Sequence, residues 1–214
     1  MSSKRNRLLE IYEALYKAFG PRHWWPGDSP FEVIVGAILT QNTAWANVSQ
    51  VISNLKSKGL MTPEALYHLD EHHLAYLIRS TGYYNLKARR LKNFMEFLFK
   101  EYDGDLDRMF SEGMDILRNK LLSIKGIGRE TADSILLYAG EIPTFVVDAY
   151  TKRIFSRHLL VSEEADYEEI RSLFMDNLPN DTQLFNEYHA LLVQLGKTFC
   201  KKKPKCDECP IKGF

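Results

Sequence analysis

This chain of 214 residues has little cysteine, no surplus of charge and no long apolar run. Its 28 basic residues balance its 28 acidic residues, so a nucleic-acid or membrane partner would have to be recognised by local clusters of charge. The stretch 33–55 carries no charge, but amides and serines interrupt the roughly 20 apolar residues that a membrane span requires. Charged residues likewise break the apolar pattern near the N-terminus, which is not typical of a secretory signal. We therefore expect a cytoplasmic protein with no membrane partner.

The three cysteines, Cys200, Cys206 and Cys209, all lie at the end of the chain. An odd, clustered set cannot crosslink a core through disulfides, so ligation of a metal or a cluster is the better interpretation. With 45% hydrophobic and 26% charged residues, the remainder has the composition of an ordinary globular protein.

Apolar residues recur at spacings of three and four along most of the sequence, which predicts helices. The first helix stops at Gly20-Pro21, and the second starts at Ser29-Pro30 with the proline in its first turn. The run 143–147 is the one strand-like stretch, and five residues cannot build a sheet. The sequence therefore predicts an all-α fold of about ten short helices.

A turn with two glycines, Lys125-Gly126-Ile127-Gly128-Arg129, separates two predicted helices. Glycine permits positive φ and lets the backbone approach a ligand closely. Exposed N–H groups at the following helix start suit an anion such as phosphate, and five lysines between 197 and 205 add a basic cluster. A simple corner between two helices, closed by a glycine cap, is the plainer alternative.

In this turn the sequence resembles the helix-hairpin-helix DNA glycosylases, the superfamily that includes endonuclease III. The resemblance continues through residues 39–43, 82–88 and 147–148 and through the terminal cysteines, in the order that the superfamily shows. Within the superfamily, Trp24-Trp25-Pro26 and Glu130 look most like the 3-methyladenine DNA glycosylase III family.

The resemblance implies a two-lobed helical fold with the active site in a cleft between the lobes. One lobe would span 24–135 and end in the helix-hairpin-helix, and the other would join 1–23 to 136–214. The implied partner is double-stranded DNA that contains a damaged base, bound by a monomer. Lys125, Gly126, Gly128 and Arg129 would contact the DNA backbone.

Asp148 precedes a predicted helix and by itself is a good N-cap. In the superfamily the matching aspartate is catalytic: it stabilises the sugar cation or orients the attacking water. Bifunctional members carry a lysine two residues after the second hairpin glycine, where this chain has Glu130, and a carboxylate cannot form an imine. We therefore expect base removal by water without strand cleavage. An Asp148 held in an internal ion pair would count against this assignment.

Three tryptophans, Trp24, Trp25 and Trp45, flank the segment that the resemblance assigns to the base pocket. Tryptophan is the best aromatic partner for a cation, which a 3-alkylated adenine provides; each could equally be a core residue. Gln41 and Tyr83 match the positions that fill the gap left by a flipped base, although both could be ordinary turn residues.

The cysteine spacing resembles the iron–sulfur loop of endonuclease III, which holds a 4Fe–4S cluster through four cysteines. Here the first gap is one residue short, and a fourth ligand would fall near position 215. Three thiolates with an external ligand, zinc in place of the cluster, and a longer natural chain all stay open, as does a basic loop that contacts phosphate without metal.

The leading hypothesis is thus a monofunctional DNA glycosylase of base excision repair that releases an alkylated base such as 3-methyladenine. The enzymatic alternatives are a mismatch uracil or thymine glycosylase and an endonuclease III-type glycosylase with lyase activity. A non-catalytic helix-hairpin-helix protein that binds distorted DNA is the third alternative.

Overall fold

The structure, a computed structural model, describes the backbone of residues 2–214 and the side chains of residues 4–214. The predicted all-α class is confirmed: within these residues there is no strand, and twelve α-helices alternate with short 3-10 and π-helical turns. The helices are α1 (Ser2–Phe19), α2 (Pro30–Leu39), α3 (Trp45–Ser57), α4 (Pro63–His68), α5 (Glu71–Leu77), α6 (Tyr84–Tyr102), α7 (Leu106–Phe110), α8 (Met114–Ser123), α9 (Arg129–Ser134), α10 (Ala149–Arg157), α11 (Tyr167–Met175) and α12 (Thr182–Thr198).

The predicted start of the second helix and the end of the first are confirmed. Ser29 caps α2 by accepting a hydrogen bond from the Glu32 N–H, and Pro30 occupies the first turn. Gly20 ends α1 with a φ of +67°. Helix α7 shows no apolar period in the sequence because five residues are too few, and its N-cap, Asp105, is the one local signal of its start.

The strand-like run 143–147 forms an irregular segment that is buried rather than paired. Phe145 and Val146 are almost fully buried, and the Phe145 ring stacks on Phe174 with the ring centres 3.6 Å apart. The segment leads directly into α10. Packing of this segment therefore fixes the position at which α10 begins.

The chain divides into two compact units. Residues 26–142 form a contiguous unit, and residues 1–25 join 143–214 in the other. The contiguous unit ends at Ile142 rather than near residue 135, because the π-helical turn Ile135–Ala139 that follows α9 packs on α2. Its core is built on α2, which is buried along nine of its ten residues and also contacts α3, α6 and α9.

The discontinuous unit is organised around α12, which packs against α1 and α10. Its core is aromatic: Phe145, Phe174 and Tyr188 meet edge to face or stacked. Among the helices that the structure describes, none is long and apolar enough to cross a lipid bilayer.

Candidate active site

The catalytic candidate, Asp148, is the N-cap of α10, as its position in the sequence predicts. Its Oδ1 accepts two hydrogen bonds from Thr151, one from the backbone N–H at 2.7 Å and one from the hydroxyl at 2.9 Å. The side chain of Asp148 is only 12% exposed. Oδ1 is thus occupied by the cap, and any interaction of Asp148 with a ligand would have to use Oδ2.

That second oxygen faces a histidine that sequence reasoning missed. The Nε2 of His189 on α12 lies 3.6 Å from Oδ2 of Asp148, and His189 is itself buried. The contact is an ion pair only when the imidazole is protonated. Whether an internal ion pair counts against a catalytic Asp148 therefore depends on the charge of His189. No local spacing links the two residues, because α12 and α10 are brought together only by the fold.

The surroundings keep Asp148 ionised. Burial by itself raises the pKa of the carboxyl group, but His189 and the two hydrogen bonds from Thr151 outweigh it, so the pKa lies below the usual aspartate value. At neutral pH the site therefore presents a fixed, largely buried negative charge.

Three side chains bear on whether an amine of this chain could attack the sugar. Lys152, one turn along α10, donates to the backbone oxygen of Ala165 at 2.8 Å. Glu130 is exposed in the first turn of α9, where an imine-forming family member would carry lysine. Lys125 is exposed beside the hairpin, in the other compact unit from Asp148.

The two hairpin glycines differ in conformation. Gly126 has a φ of +100°, whereas Gly128 is extended, with φ −94° and ψ 178°. A Cβ atom at Gly126 would lie 2.4 Å from Cγ of Arg90, while a Cβ at Gly128 would meet no atom of the described residues within 4 Å. Positive φ is thus needed only at Gly126, and the open side at Gly128 leaves room for a ligand.

Internal contacts hold the hairpin rigidly. Ile127, between the two hairpin glycines, is 4% exposed. Arg118 of α8 donates two hydrogen bonds, at 2.8 and 2.9 Å, to the fully buried carboxylate of Asp133 in α9. The helices on either side of the turn are therefore clamped together by a charged pair as well as by apolar packing.

The two residues predicted to fill the gap of a flipped base are held differently. Tyr83 is 74% exposed, and its backbone has the left-handed conformation at the start of α6. The Gln41 amide instead donates to the Thr131 hydroxyl at 2.9 Å and to the Gly126 oxygen at 3.2 Å, and it accepts from Arg90. Gln41 therefore braces the hairpin and would have to exchange these partners to enter DNA.

Two of the three tryptophans lie together. The rings of Trp24 and Trp25 meet edge to face with centres 5.2 Å apart, and the Lys197 ammonium lies 5.9 Å from the Trp24 ring centre. Both indoles are half-buried, and they share the compact unit of Asp148. Trp45 begins α3 in the other unit, so a base pocket that Trp45 shares with Trp24 and Trp25 stays a prediction.

The three cysteines do not form a metal-binding arrangement. Cys200 is buried, Cys206 is exposed, and no group of three histidine, cysteine or acidic side chains among residues 4–214 is placed to hold a metal. Burial raises the pKa of Cys209, and the neighbouring thiols of Cys200 and Cys206 raise it further. As they stand, these residues do not fit a four-cysteine cluster.

Two arginines of α10 hold the cysteine loop instead. Arg153 donates to the backbone oxygen of Cys200 at 2.8 Å, and Arg157 donates to that of Lys201 at 2.6 Å. Arg157 also reaches the Cys200 sulfur at 3.3 Å. Hydrogen bonds from these charged donors thus hold the start of this basic loop in place.

Comparison with known proteins places the whole arrangement in one family. The model of the HhH-GPD superfamily of base excision DNA repair proteins matches residues 35–180. A candidate DNA repair glycosylase of Methanocaldococcus jannaschii is 50% identical over 214 residues, which is 99% of this chain and 97% of the relative. Endonuclease III of Sulfolobus acidocaldarius is 31% identical over 185 residues, 86% of this chain and 80% of the relative.

A solved structure supports the same placement. The crystal structure of H. pylori 3-methyladenine DNA glycosylase bound to 1,N6-ethenoadenine superposes with a TM-score of 0.77 and 29% sequence identity. The superposition covers 89% of this chain and 97% of that protein.

Proposed function

Because the chain belongs to the HhH-GPD superfamily of base excision DNA repair proteins, we propose that it is a monofunctional DNA glycosylase for alkylated bases such as 3-methyladenine. In the proposed reaction, water replaces the base at C1′ of a deoxyribose in double-stranded DNA. The products are the free base and an abasic site in an unbroken strand. The observation that carries the proposal is the fixed, ionised carboxylate of Asp148.

The proposed role of Asp148 follows from how the glycosidic bond breaks. Positive charge develops on the sugar ring as the base leaves, so an anion held in place stabilises the transition state more than the ground state. Since Oδ1 is committed to Thr151, Oδ2 is the oxygen assigned to the sugar cation or to the attacking water.

We propose that the protein has no lyase activity because Glu130 stands where a bifunctional enzyme carries lysine. A bifunctional enzyme needs an amine that attacks the sugar, and the matching position here carries an exposed carboxylate. Lys152, the lysine closest to Asp148 along the chain, is bonded to a backbone oxygen. Water is therefore the proposed nucleophile.

The proposed lesion class rests on the tryptophan pair and on the similarity to the H. pylori enzyme. A positively charged alkylpurine has a weakened glycosidic bond, and stacking on tryptophan contributes about 0.5–2 kcal/mol to binding a cation. Because the Lys197 ammonium near Trp24 would repel such a base, we assign the stacking role to Trp25.

DNA binding in the proposal uses the hairpin. The carbonyl oxygens of Lys125 and Gly126 accept hydrogen bonds from Asn93 and Gln41 of the same unit, so they are turned away from an approaching anion. The open face at Gly128 then admits a phosphate, and the exposed Tyr83 is assigned to the distorted base pair. Phosphate contacts carry no base information, so binding should depend strongly on salt and little on sequence.

A panel of lesion duplexes, scored separately for free base and for strand breaks, tests the proposed function. We expect release from 3-methyladenine DNA, no release from U·G or T·G mismatches, no strand breaks and no adduct trapped by borohydride. Release from the mismatches alone would favour a mismatch glycosylase. Efficient trapping would show lyase chemistry, and binding of every duplex with no released base would indicate a non-catalytic protein.

A further inference from the structure

His189 is a buried imidazole that faces the proposed catalytic carboxylate and has no part in the reaction as described so far. It is 5% exposed, and its Nε2 lies 3.6 Å from Oδ2 of Asp148. Both residues belong to the same compact unit. The contact is therefore a property of the core of that unit and not of mobile surface side chains.

The distance between the two groups is set by close packing of α10 against α12. A Cβ atom at Gly196 of α12 would lie 2.3 Å from Cδ1 of Tyr150 in α10, so the helices approach as closely as a glycine allows. Phe145 presents its ring edge to His189, with centres 6.4 Å apart, and is itself stacked on Phe174. The imidazole thus has little freedom to turn away from Asp148.

We propose that His189 is a positioning residue that orients the second carboxylate oxygen of Asp148 for the glycosylase reaction. The inference rests on the proposed function. Oδ1 is fixed by Thr151, so the contact at Oδ2 fixes the plane of the carboxylate. At 3.6 Å the contact is longer than a hydrogen bond, which leaves Oδ2 able to interact with the sugar cation or with water.

Three other groups on the elements around His189, namely Arg153, Glu187 and Tyr12, have partners of their own. Arg153 of α10 donates to backbone oxygens of the cysteine loop and α12, and Glu187 of α12 accepts from the Arg22 N–H. From α1, Tyr12 packs on the ring of Tyr188. The proposal therefore links the pH dependence of the reaction to the contact between His189 and Asp148.

The inference predicts how the pH dependence of base release responds to substitution. Activity falls at acid pH when Asp148 becomes protonated, and without His189 burial would raise the pKa of this carboxyl group. His189→Phe keeps the ring volume and removes the nitrogen, so the acid limb should move to higher pH. The single-turnover rate at neutral pH should fall by roughly tenfold or more, with DNA affinity unchanged.

Two further substitutions separate positioning from packing. The amide nitrogen of Gln can occupy the place of Nε2, so His189→Gln should retain most of the rate and a near-normal acid limb. The shorter amide of His189→Asn cannot reach Oδ2, so this variant should behave like His189→Phe. The matched control is Tyr188→Phe, which removes a buried hydroxyl bonded to the Leu8 oxygen and should lower only the Tm.

The experiment measures single-turnover release of 3-methyladenine against pH for these four variants and for the unsubstituted protein. Equal rates and acid limbs in the Gln and Asn variants would overturn the inference, even if the Phe variant fails to fold. So would a Phe variant that matches Tyr188→Phe, with a lower Tm and an unchanged pH profile. If the unsubstituted protein releases no base from any duplex of the lesion panel, the proposed function itself fails, which is a different result.

Discussion

At the scale of single residues, the candidate site depends on a few groups whose surroundings limit what each can do. Asp148 has a structural role as the cap of α10, and the proposed chemical role uses the carboxylate oxygen that the cap leaves over. The two hairpin glycines divide their roles between them, one serving the fold and the other leaving open space. Both assignments give predictions that substitution can test.

The lowered pKa of Asp148 predicts a contribution to stability that depends on pH. A carboxyl group whose pKa is lower in the folded state stabilises the fold above its unfolded pKa and loses that contribution as the pH falls through the folded value. Asp148→Asn keeps a good N-cap but cannot ionise. Thermal unfolding of both proteins between neutral and acid pH should show the smaller loss of Tm in the Asn variant, and parallel curves would contradict the assigned ionisation.

Alanine at each hairpin glycine should have opposite consequences. Gly126→Ala forces a side chain into positive φ and against Arg90, so we expect about 1–3 kcal/mol of lost stability. Gly128→Ala should leave the unfolding free energy nearly unchanged and weaken binding of duplex DNA, because the added methyl group occupies the face assigned to phosphate. Urea unfolding and a DNA titration distinguish the two, and equal losses of stability would show that Gly128 also serves the fold.

At the scale of helices and loops, buried cations fix the segments that carry the site. Lys87 of α6 is 1% exposed, and its ammonium donates to the backbone oxygens of Leu39 and Thr81 at 2.7 and 2.8 Å and to the Thr43 hydroxyl. It thereby ties the turn that bears Gln41 to the loop that precedes Tyr83. Arg118 and Asp133 tie α8 to α9 in the same way.

Removing the Lys87 ammonium should loosen both segments. Lys87→Met leaves buried oxygens without their donor, and we expect a loss of about 2–4 kcal/mol in unfolding free energy. Lys100→Met, on an exposed position of the same helix, is the control and should be close to neutral. A Lys87→Met protein as stable as the control would mean that water replaces the ammonium without cost.

The cysteine loop gives a prediction about metal. Because Arg153 and Arg157 hold its start and the thiols are not arranged as ligands, a chelator should leave the Tm unchanged. Arg157→Met should lower the Tm, whereas replacing Cys206 and Cys209 together by serine should not. A chelator-sensitive Tm that the double serine variant no longer shows would mean that the cysteines bind metal after all.

At the scale of the whole molecule, the sequence predicts elements well and contacts poorly. Helical periodicity and capping residues identify α1, α2 and the N-cap role of Asp148, because those signals lie within a few residues of one another. The contacts of Asp148 with His189 and of Gln41 with the hairpin depend on how distant segments pack. The cysteines illustrate the same limit: their spacing resembles a cluster motif, but among residues 4–214 no group of three candidate ligands is placed to hold a metal.

Base release by Asp148→Asn, measured together with DNA affinity, tests the catalytic assignment most directly. Asparagine has nearly the same shape and preserves the cap, so the variant should fold and should bind 3-methyladenine DNA as tightly as the unsubstituted protein. We expect its single-turnover rate of base release to fall by roughly 100-fold or more, since the charge that stabilises the sugar cation is gone. A folded variant that releases the base at the original rate would show that Asp148 only caps its helix and that the catalytic group lies elsewhere.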